Sequence, residues 1–182
     1  MGLIIFLVVL AILVLWFVGI YNGFITLKNR VENAWAQVDV QLKRRYDLIP
    51  NLVETVKGYA AHEKEIFEKL GELRAKALGA QSVKDIGETN NQITQTLKTL
   101  FAVAENYPEL KANENFLKLQ EELANTENKI AFARQFYNDV VMQYNAKQQR
   151  IPDVFVARLM NLTPKEYYPI EEEARGPVKV QF

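Results

Sequence analysis

The chain has no cysteine and only one histidine, His62, among its 182 residues. The first absence excludes disulfides, thiolate metal sites and a cysteine nucleophile. The segment HEKEI begins at His62 like a zincin motif, but Ile66 stands where a second histidine is needed to bind zinc. The eight glycines are scattered, with no P-loop and no Gly-x-Gly-x-x-Gly pattern. We therefore predict that the protein is not an enzyme and that it holds no metal and no cofactor.

The chain also lacks an excess of charge of either sign. Lys plus Arg and Asp plus Glu each number 22. A nucleic-acid-binding domain usually carries a clear basic excess, so nucleic acid is not an expected partner.

Residues 1–27 contain no charged side chain, and every residue from Gly2 to Ile20 is apolar. About 19 apolar residues make about 28 Å of helix, which matches a hydrocarbon core of about 30 Å. A cleaved signal peptide would need a basic start, a shorter apolar core and a small-x-small site, and none of these is present. We predict a transmembrane anchor over residues 1–27, with the lipid bilayer as its partner.

The residues after the apolar run indicate the orientation. Trp16 and Tyr21 stand where an interfacial aromatic belt is expected, and Lys28 and Arg30 follow, whereas no basic side chain precedes the run. The positive-inside rule places the N-terminus outside and the body in the cytoplasm. Gly19 and Gly23 form a GxxxG that indicates either a helix–helix contact or a flexible exit from the membrane.

A stretch from Val31 to Ala77 repeats apolar residues at alternating spacings of four and three. Arg45 and Glu63 are the only charged residues on this line. Such a period of 3.5 is typical of a long helix packed lengthwise on other helices. We predict one continuous helix over 31–77, kinked at Pro50 because proline removes a helical donor while the apolar phase continues past it.

Two further helices are predicted, over 83–106 and 113–151. Gly79 and Ser82 indicate a loop before the first, Pro108 ends it, and Asn113 is a suitable N-cap for the second. The face of the helix 83–106 that is rich in Thr, Asn, Gln and Lys is expected to be solvated. The three predicted helices have apolar faces of matching period and are joined by short turns, which predicts an all-α fold. The predicted fold is an N-terminal transmembrane helix followed by an elongated antiparallel bundle of three long helices plus short C-terminal helices.

The remaining elements follow from local signals. Residues 153–162 predict a short amphipathic helix. The segment 163–166 predicts a capping box with Pro164 at the first helical position. The predicted organisation is therefore an anchor over 1–27, a helical bundle over 28–162, and a short helix with an extended tail over 163–182.

Arg45 is a charge on an otherwise apolar seam, and three interpretations remain open. Its long side chain can reach sideways to solvent. It can instead form a buried, register-fixing ion pair with Glu127 or Glu121 of the third helix. Asn128, Arg134 and Asn138 of that helix would then complete a buried polar layer. Third, the run Lys43–Arg45 can contact anionic lipid headgroups, although an upright helix would hold it well beyond a Debye length from the membrane.

Three blocks of sequence resemble the LemA family of bacterial membrane proteins. The first runs from Asn33 to Val53 (NAWAQVDVQLKRRYDLIPNLV) and on through Lys57–Ala60. The second runs from Tyr107 (YPELKANE) to Asn138, where it ends in ARQFYN, and the third is IEEEAR at 170–175. The resemblance implies a single membrane helix in the bacterial cell (inner) membrane and a cytoplasmic body of long antiparallel helices. It also implies that some relatives accompany magnetosome membranes and others a membrane zinc metallopeptidase of protein quality control. It implies no established enzymatic activity.

The function expected from the sequence is that of a membrane-anchored, non-catalytic scaffold or interaction protein that self-assembles into a homo-oligomer through helix packing. The alternative is an adaptor subunit of a membrane zinc metallopeptidase. A signalling stalk is less well supported, because about one residue would lie outside the membrane. The residues assigned to interaction and structure are Trp35, Arg44, Arg45, Tyr46, Pro50, Glu127, Arg134, Tyr137 and Asn138. Those assigned to the membrane interface are Trp16, Tyr21, Lys28 and Arg30.

Overall fold

The computed structural model describes residues 1–169, and in this range the protein is all-α without a strand. The helices are α1 (Gly2–Lys57), α2 (Lys64–Gly79), α3 (Val83–Ala104), α4 (Pro108–Lys111), α5 (Glu114–Gln149) and α6 (Asp153–Leu159). The predicted all-α class with a long N-terminal apolar helix is confirmed.

The prediction of one continuous helix over 31–77 is wrong. Helix α1 passes through Pro50 and ends at Lys57, and α2 begins at Lys64. The amide of Ala60 still bonds to the carbonyl of Val56 at 2.9 Å, after which the chain leaves the helical path. The body therefore contains the separate helix α2 in addition to the three long helices α1, α3 and α5.

The starts of α3 and α5 are set by side chains that cap free backbone amides. The Ser82 hydroxyl accepts from the amide of Asp85 at 3.0 Å. The Asn113 carbonyl oxygen accepts from the amide of Phe116 at 3.0 Å. Such caps satisfy donors that have no partner within the helix, and each typically contributes about 1 kcal/mol. Asn113 is the N-cap that the sequence predicted.

The described chain forms two compact units. Unit 1 comprises Met1–Val38 and Ala133–Glu166. In it α1 and α5 run antiparallel, because Trp35 meets Tyr137 while Phe24 meets Lys147. Helix α1 is continuous through Gly19 and Gly23, so the expectation of a flexible exit is wrong. A Cβ on Gly23 would lie 3.2 Å from Lys147 Cε, which places this glycine against its own chain.

Of the described residues, unit 2 comprises Asp39–Phe132 together with 167–169. The second part of α1, then α2, α3 and the first part of α5 pack in alternating directions. Arg74 of α2 donates to the carbonyl of Tyr46 at 2.8 Å, and Phe101 of α3 meets Phe116 of α5 edge to face. The core of unit 2 includes the fully buried side chains Leu42, Ile49, Leu52, Leu70, Ile93, Leu100 and Leu110. Each such side chain stabilises the folded state by about 1.5–3 kcal/mol.

Helix α6 ends in a left-handed turn. Asn161 has a φ of 50°. Its amide donates to the carbonyl of Arg158 at 3.1 Å, and the amide of Leu162 donates to the carbonyl of Ala157 at 3.0 Å. This is a Schellman cap. No helix forms over 162–169, so the predicted helix starting at Pro164 is wrong. The predicted extended tail, including the block 170–175, lies outside the described residues.

Candidate functional site

Among the described residues, the most deeply buried charged side chain is Arg45 of α1, which is only 1% exposed. It faces inward because position 45 lies on the same side of α1 as the buried residues Leu42 and Ile49. Removing a guanidinium from water costs free energy that only good pairing can offset. The partners of Arg45 therefore determine whether the cost of burying its guanidinium is offset.

A carboxylate and a hydroxyl pair with one end of the guanidinium. Nη1 of Arg45 lies 2.5 Å from Oε2 of Glu127 on α5 and donates to the hydroxyl of Thr94 on α3 at 2.9 Å. That hydroxyl in turn donates to Oε1 of Glu127 at 3.1 Å. The Glu127 side chain is 37% exposed, so its carboxylate keeps part of its hydration. The ion pair consequently costs less than one buried on both sides.

The side chain and backbone of Asn90 pair with the other end of the Arg45 guanidinium. Nη2 of Arg45 donates to both the side-chain and the backbone oxygen of Asn90 on α3, the latter at 3.2 Å. The Asn90 amide group donates to the Tyr46 hydroxyl at 2.6 Å and to the carbonyl of Ile86 at 2.7 Å. We refer to Arg45, Tyr46, Asn90, Thr94 and Glu127 as the Arg45 cluster.

Burial governs the protonation of Tyr46 in this cluster. Desolvation raises the pKa of its phenol, and Asp39 adds to this effect. The hydrogen bond from Asn90 and the charge of Arg45 lower the pKa, but they do not outweigh desolvation. The phenol therefore stays neutral at physiological pH and can accept from Asn90.

Two buried atoms on α1 have no hydrogen-bond partner among the described residues, namely Nε of Arg45 and Oε1 of Gln41. Residues four apart on a helix share a face, so Gln41 and Arg45 lie on the same side of α1. A buried polar atom without a partner costs about 1–3 kcal/mol. The Arg45 cluster thus connects α1, α3 and α5 while these two atoms stay unpaired among the described residues.

The contact between Arg45 and Glu127 was one of the interpretations that the sequence left open, and it is present. The other members of the predicted polar layer lie elsewhere. Asn128 is exposed, so its predicted burial is wrong. Arg134 and Asn138 are half-buried residues of unit 1, where each has an interaction of its own.

The remaining predicted residues of unit 2 lie nearer the surface. Arg44 pairs with Glu122 at 3.2 Å, with both side chains about half exposed. An exposed pair of this kind contributes about 0–1 kcal/mol. Pro50 is exposed on α1. Arg44 is thus a weaker anchor than its buried neighbour Arg45.

In unit 1, Trp35 and Tyr137 pack edge to face with ring centres 5.4 Å apart. The Tyr137 hydroxyl also donates to the carbonyl of Glu166 at 2.9 Å, which ties the chain after α6 to α5. The predicted interface residues Trp16, Tyr21, Lys28 and Arg30 are all exposed on α1. Within residues 1–169 no group of three or more His, Asp or Glu side chains is arranged to hold a metal ion.

Sequence reasoning missed several buried polar residues. The expectation that the Thr-rich face of α3 is solvated is wrong at Thr89, Thr94 and Thr96, which are buried. The Thr96 hydroxyl donates to the carbonyl of Gln92 at 2.8 Å. A threonine within a helix commonly forms this bond to the carbonyl four residues earlier, which satisfies its buried hydroxyl. Position 94 lies four residues after Asn90, so the spacing could have placed Thr94 on the face of Asn90.

The chain is similar to known proteins over most of its length. The model of the LemA family matches residues 34–182. Magnetosome protein MamQ 2 of Paramagnetospirillum magneticum is 23% identical over 184 residues, which cover 87% of this chain and 68% of that protein. Magnetosome protein MamQ of Magnetospirillum gryphiswaldense shows the same identity and coverage. Protein LemA of Metamycoplasma hominis is 26% identical over 143 residues, covering 78% of this chain and 65% of that protein.

Proposed function

Because the chain belongs to the LemA family, we propose that it is a membrane-anchored helical interaction protein. It acts through helix packing and self-assembly rather than through catalysis. Family membership, the magnetosome proteins among its relatives and the long apolar N-terminal helix indicate a membrane-associated protein. The anchor, its orientation and the scaffold mechanism are the parts that we propose.

Helix α1 is the observation that carries this proposal. Its first part is long and apolar enough to cross a membrane, and its side chains there are exposed, as lipid-facing side chains would be. The same helix continues without a break into the buried positions Ile20, Phe24 and Val31 of unit 1. A helix, and not a flexible linker, therefore joins the apolar segment to the folded residues. Removal of a signal sequence would cut directly into this packed helix, which favours a retained anchor.

The Arg45 cluster supports an interaction role. The amino groups of its guanidinium are engaged by Glu127, Thr94 and Asn90. The cluster is thus a junction between helices, and its charge is used to hold the bundle together. Such a bundle presents defined surfaces to other helices.

The anchor and its orientation are tested together. We propose a single span in the bacterial cell membrane with the N-terminus outside and the body in the cytoplasm. Protease added to spheroplasts should leave the body intact, whereas permeabilised cells should lose it. Digestion in intact spheroplasts would overturn the cytoplasmic assignment, and release of the chain by alkaline extraction would overturn the anchor.

The scaffold mechanism is tested by mass and by partners. The full chain, cross-linked in cells and purified in mild detergent, should appear as a homo-oligomer whose mass is a multiple of 21.0 kDa. A stoichiometric membrane zinc metallopeptidase in the same preparation would instead identify the chain as its adaptor subunit. A monomer without a partner would contradict both.

A further inference from the structure

Helix α6 and Ile151, in the turn that precedes it, carry an exposed apolar face. Ile151, Phe155 and Leu159 are 82%, 62% and 70% exposed. Phe155 and Leu159 lie four residues apart and so share one side of the helix, while Val156 and Ala157 on the other side are buried. Two arginines, Arg150 and Arg158, are exposed next to this face. We call Ile151, Phe155 and Leu159 the α6 face.

The α6 face belongs to the part of unit 1 that contacts the end of the apolar run of α1. Lys147 lies with its ammonium 5.0 Å from the ring centre of Phe24 and packs against Gly23. The same ammonium donates to Asp153, the first residue of α6, at 2.9 Å. One lysine therefore joins α6 to residues 23–24 of α1, just beyond the last residue of the apolar run, Ile20.

The antiparallel register gives the level of the α6 face more closely. Trp35 is opposite Tyr137 and Phe24 is opposite Lys147, so 11 residues of α1 correspond to 10 residues of α5. Continued to the last residue of α5, this register places Gln149 level with about Asn22, two residues beyond the apolar run. Ile20 is itself only 9% exposed, while Val18 is 44% exposed. Burial of α1 by the folded chain thus begins where the apolar run ends.

We propose that α6 is an interfacial membrane helix that lies on the same bilayer that α1 crosses. Its face of Ile151, Phe155 and Leu159 enters the boundary between headgroups and acyl chains, and Arg150 and Arg158 contact lipid phosphates. The occupant of this face is lipid, because the face is continuous with the bilayer edge defined by α1. Amphipathic helices of this kind insert their apolar side about 5–10 Å below the surface and favour anionic lipids when basic residues flank it.

This arrangement gives unit 1 a second point of membrane contact. A single helix crossing a bilayer can tilt and shift in depth, whereas a second element inserted at the surface restrains both movements. Lys147 ties the two elements together through Asp153 and Phe24. The α6 face would therefore set the tilt and depth of unit 1 at the membrane surface. The inference depends on the proposed anchor, and the test below separates the two.

The chain contains no cysteine, so single labels can be placed without altering other positions. The full chain with Phe155→Cys or Leu159→Cys carries a spin label in vesicles of phosphatidylcholine with and without phosphatidylglycerol. Accessibility to oxygen reports lipid, and accessibility to a water-soluble nickel chelate reports water. Val9→Cys, within the apolar run, reports the anchor. Met142→Cys is the matched control, because Met142 is a 54% exposed apolar residue of α5 in unit 1.

Met142 lies seven residues before the end of α5 at Gln149, or about 10 Å farther from the bilayer edge by helical rise. The expected result is an oxygen-to-nickel ratio severalfold higher at positions 155 and 159 than at 142, increased further by phosphatidylglycerol. A lipid-like label at 9 with water-like labels at 155 and 159 would overturn the inference and leave the anchor intact. Labels at 155 and 159 shielded from both reagents would also overturn it, because protein would then cover the α6 face. A water-like label at 9 would overturn the anchor and the inference together.

Discussion

Nη1 of Arg45 lies 2.5 Å from Oε2 of Glu127, and this ion pair joins α1 to α5 inside unit 2. The two partners differ in environment, since the arginine is 1% exposed and the glutamate side chain is 37% exposed. The arginine therefore depends on the glutamate more than the reverse. Thr94 and Asn90 extend the junction to α3, so one side chain connects three helices.

Arg45→Met should destabilise the protein by about 3 kcal/mol, at the lower end of the range for breaking a buried ion pair. Methionine keeps the apolar length of the side chain but leaves Asn90 and Thr94 without their charged donor. Glu127 can recover water, which limits the loss. Urea unfolding of the full chain in mild detergent, followed by circular dichroism, measures the change.

Arg44→Met is the matched control for this substitution. Arg44 is the adjacent residue and also pairs with a glutamate of α5, but this pair is exposed. Its loss should cost no more than about 1 kcal/mol. Equal effects of the two substitutions would show that Arg45 contributes only as a solvated side chain.

Tyr46 predicts a pH dependence of stability in the alkaline range. Its pKa is raised in the folded protein, chiefly by desolvation, above the value of about 10 in the unfolded chain. The folded state therefore holds this proton more tightly. The contribution to stability is fully present below about pH 10 and is lost as the pH rises through the folded pKa.

Tyr46→Phe tests this contribution. At neutral pH it should cost about 1 kcal/mol, because the Asn90 amide loses an acceptor. Above pH 10 the free energy of unfolding should fall less steeply in the variant than in the natural chain. The remaining slope includes Tyr137 and Tyr144, whose pKa values burial also raises. The free energy of unfolding is measured by urea unfolding at each pH. If it falls equally steeply with pH in both proteins, the phenol of Tyr46 does not have a raised pKa in the folded state.

The sequence predicted the elements whose signals are local. Ser82 and Pro108 bracket α3, Asn113 begins α5, and the apolar period identifies the buried side of each helix. The same period placed Arg45 on an apolar line, where a buried ion pair was one of three interpretations left open. Glu127 was foreseen because it is an acidic residue close to the seam of the third helix.

The reversal between α1 and α2 was not predictable from the period. Val56 and Leu70 are both buried and lie 14 residues apart, which is two heptads. The apolar phase of α2 therefore continues that of α1 as though no turn intervened. Gly58 after Lys57 was the available signal for a helix end. Thr94 of α3 and Asn145 of α5 have hydrogen-bond partners that are distant in sequence, and a periodic pattern does not reveal such partners.

Gly87→Ala is a substitution for which we expect the loss of packing to outweigh the gain in helix propensity. A Cβ at this position of α3 would overlap the ring of Pro169 and lie 3.2 Å from Tyr168 Cε1. Gly87→Ala gains about 1 kcal/mol of helix propensity. Displacing the packed ring costs about 1–3 kcal/mol, so the net effect should be a loss of stability.

Gly71→Ala in α2 is the control for Gly87→Ala, because nothing lies within 4 Å of its Cβ position. This substitution should raise the thermal midpoint through propensity alone. Thermal unfolding of the two variants in the same detergent makes the comparison. A rise in both midpoints would show that Pro169 does not rest against Gly87.

Asn145 predicts how the chain after α6 is held in unit 1. Its side-chain amide donates to the carbonyl of Lys165 at 2.9 Å and accepts from the amide of Lys165 at 2.8 Å, and it is buried. Asn145→Ala removes both bonds, so the protection of the Lys165 amide against hydrogen exchange should fall by about 1–3 kcal/mol while α5 stays protected. Gln143→Ala is the control, since Gln143 is an exposed residue of the same helix. Hydrogen exchange of the full chain at residues 163–166 makes the measurement. If both variants exchange at the natural rate, Asn145 does not hold this segment, and the bond from Tyr137 to Glu166 is sufficient to do so.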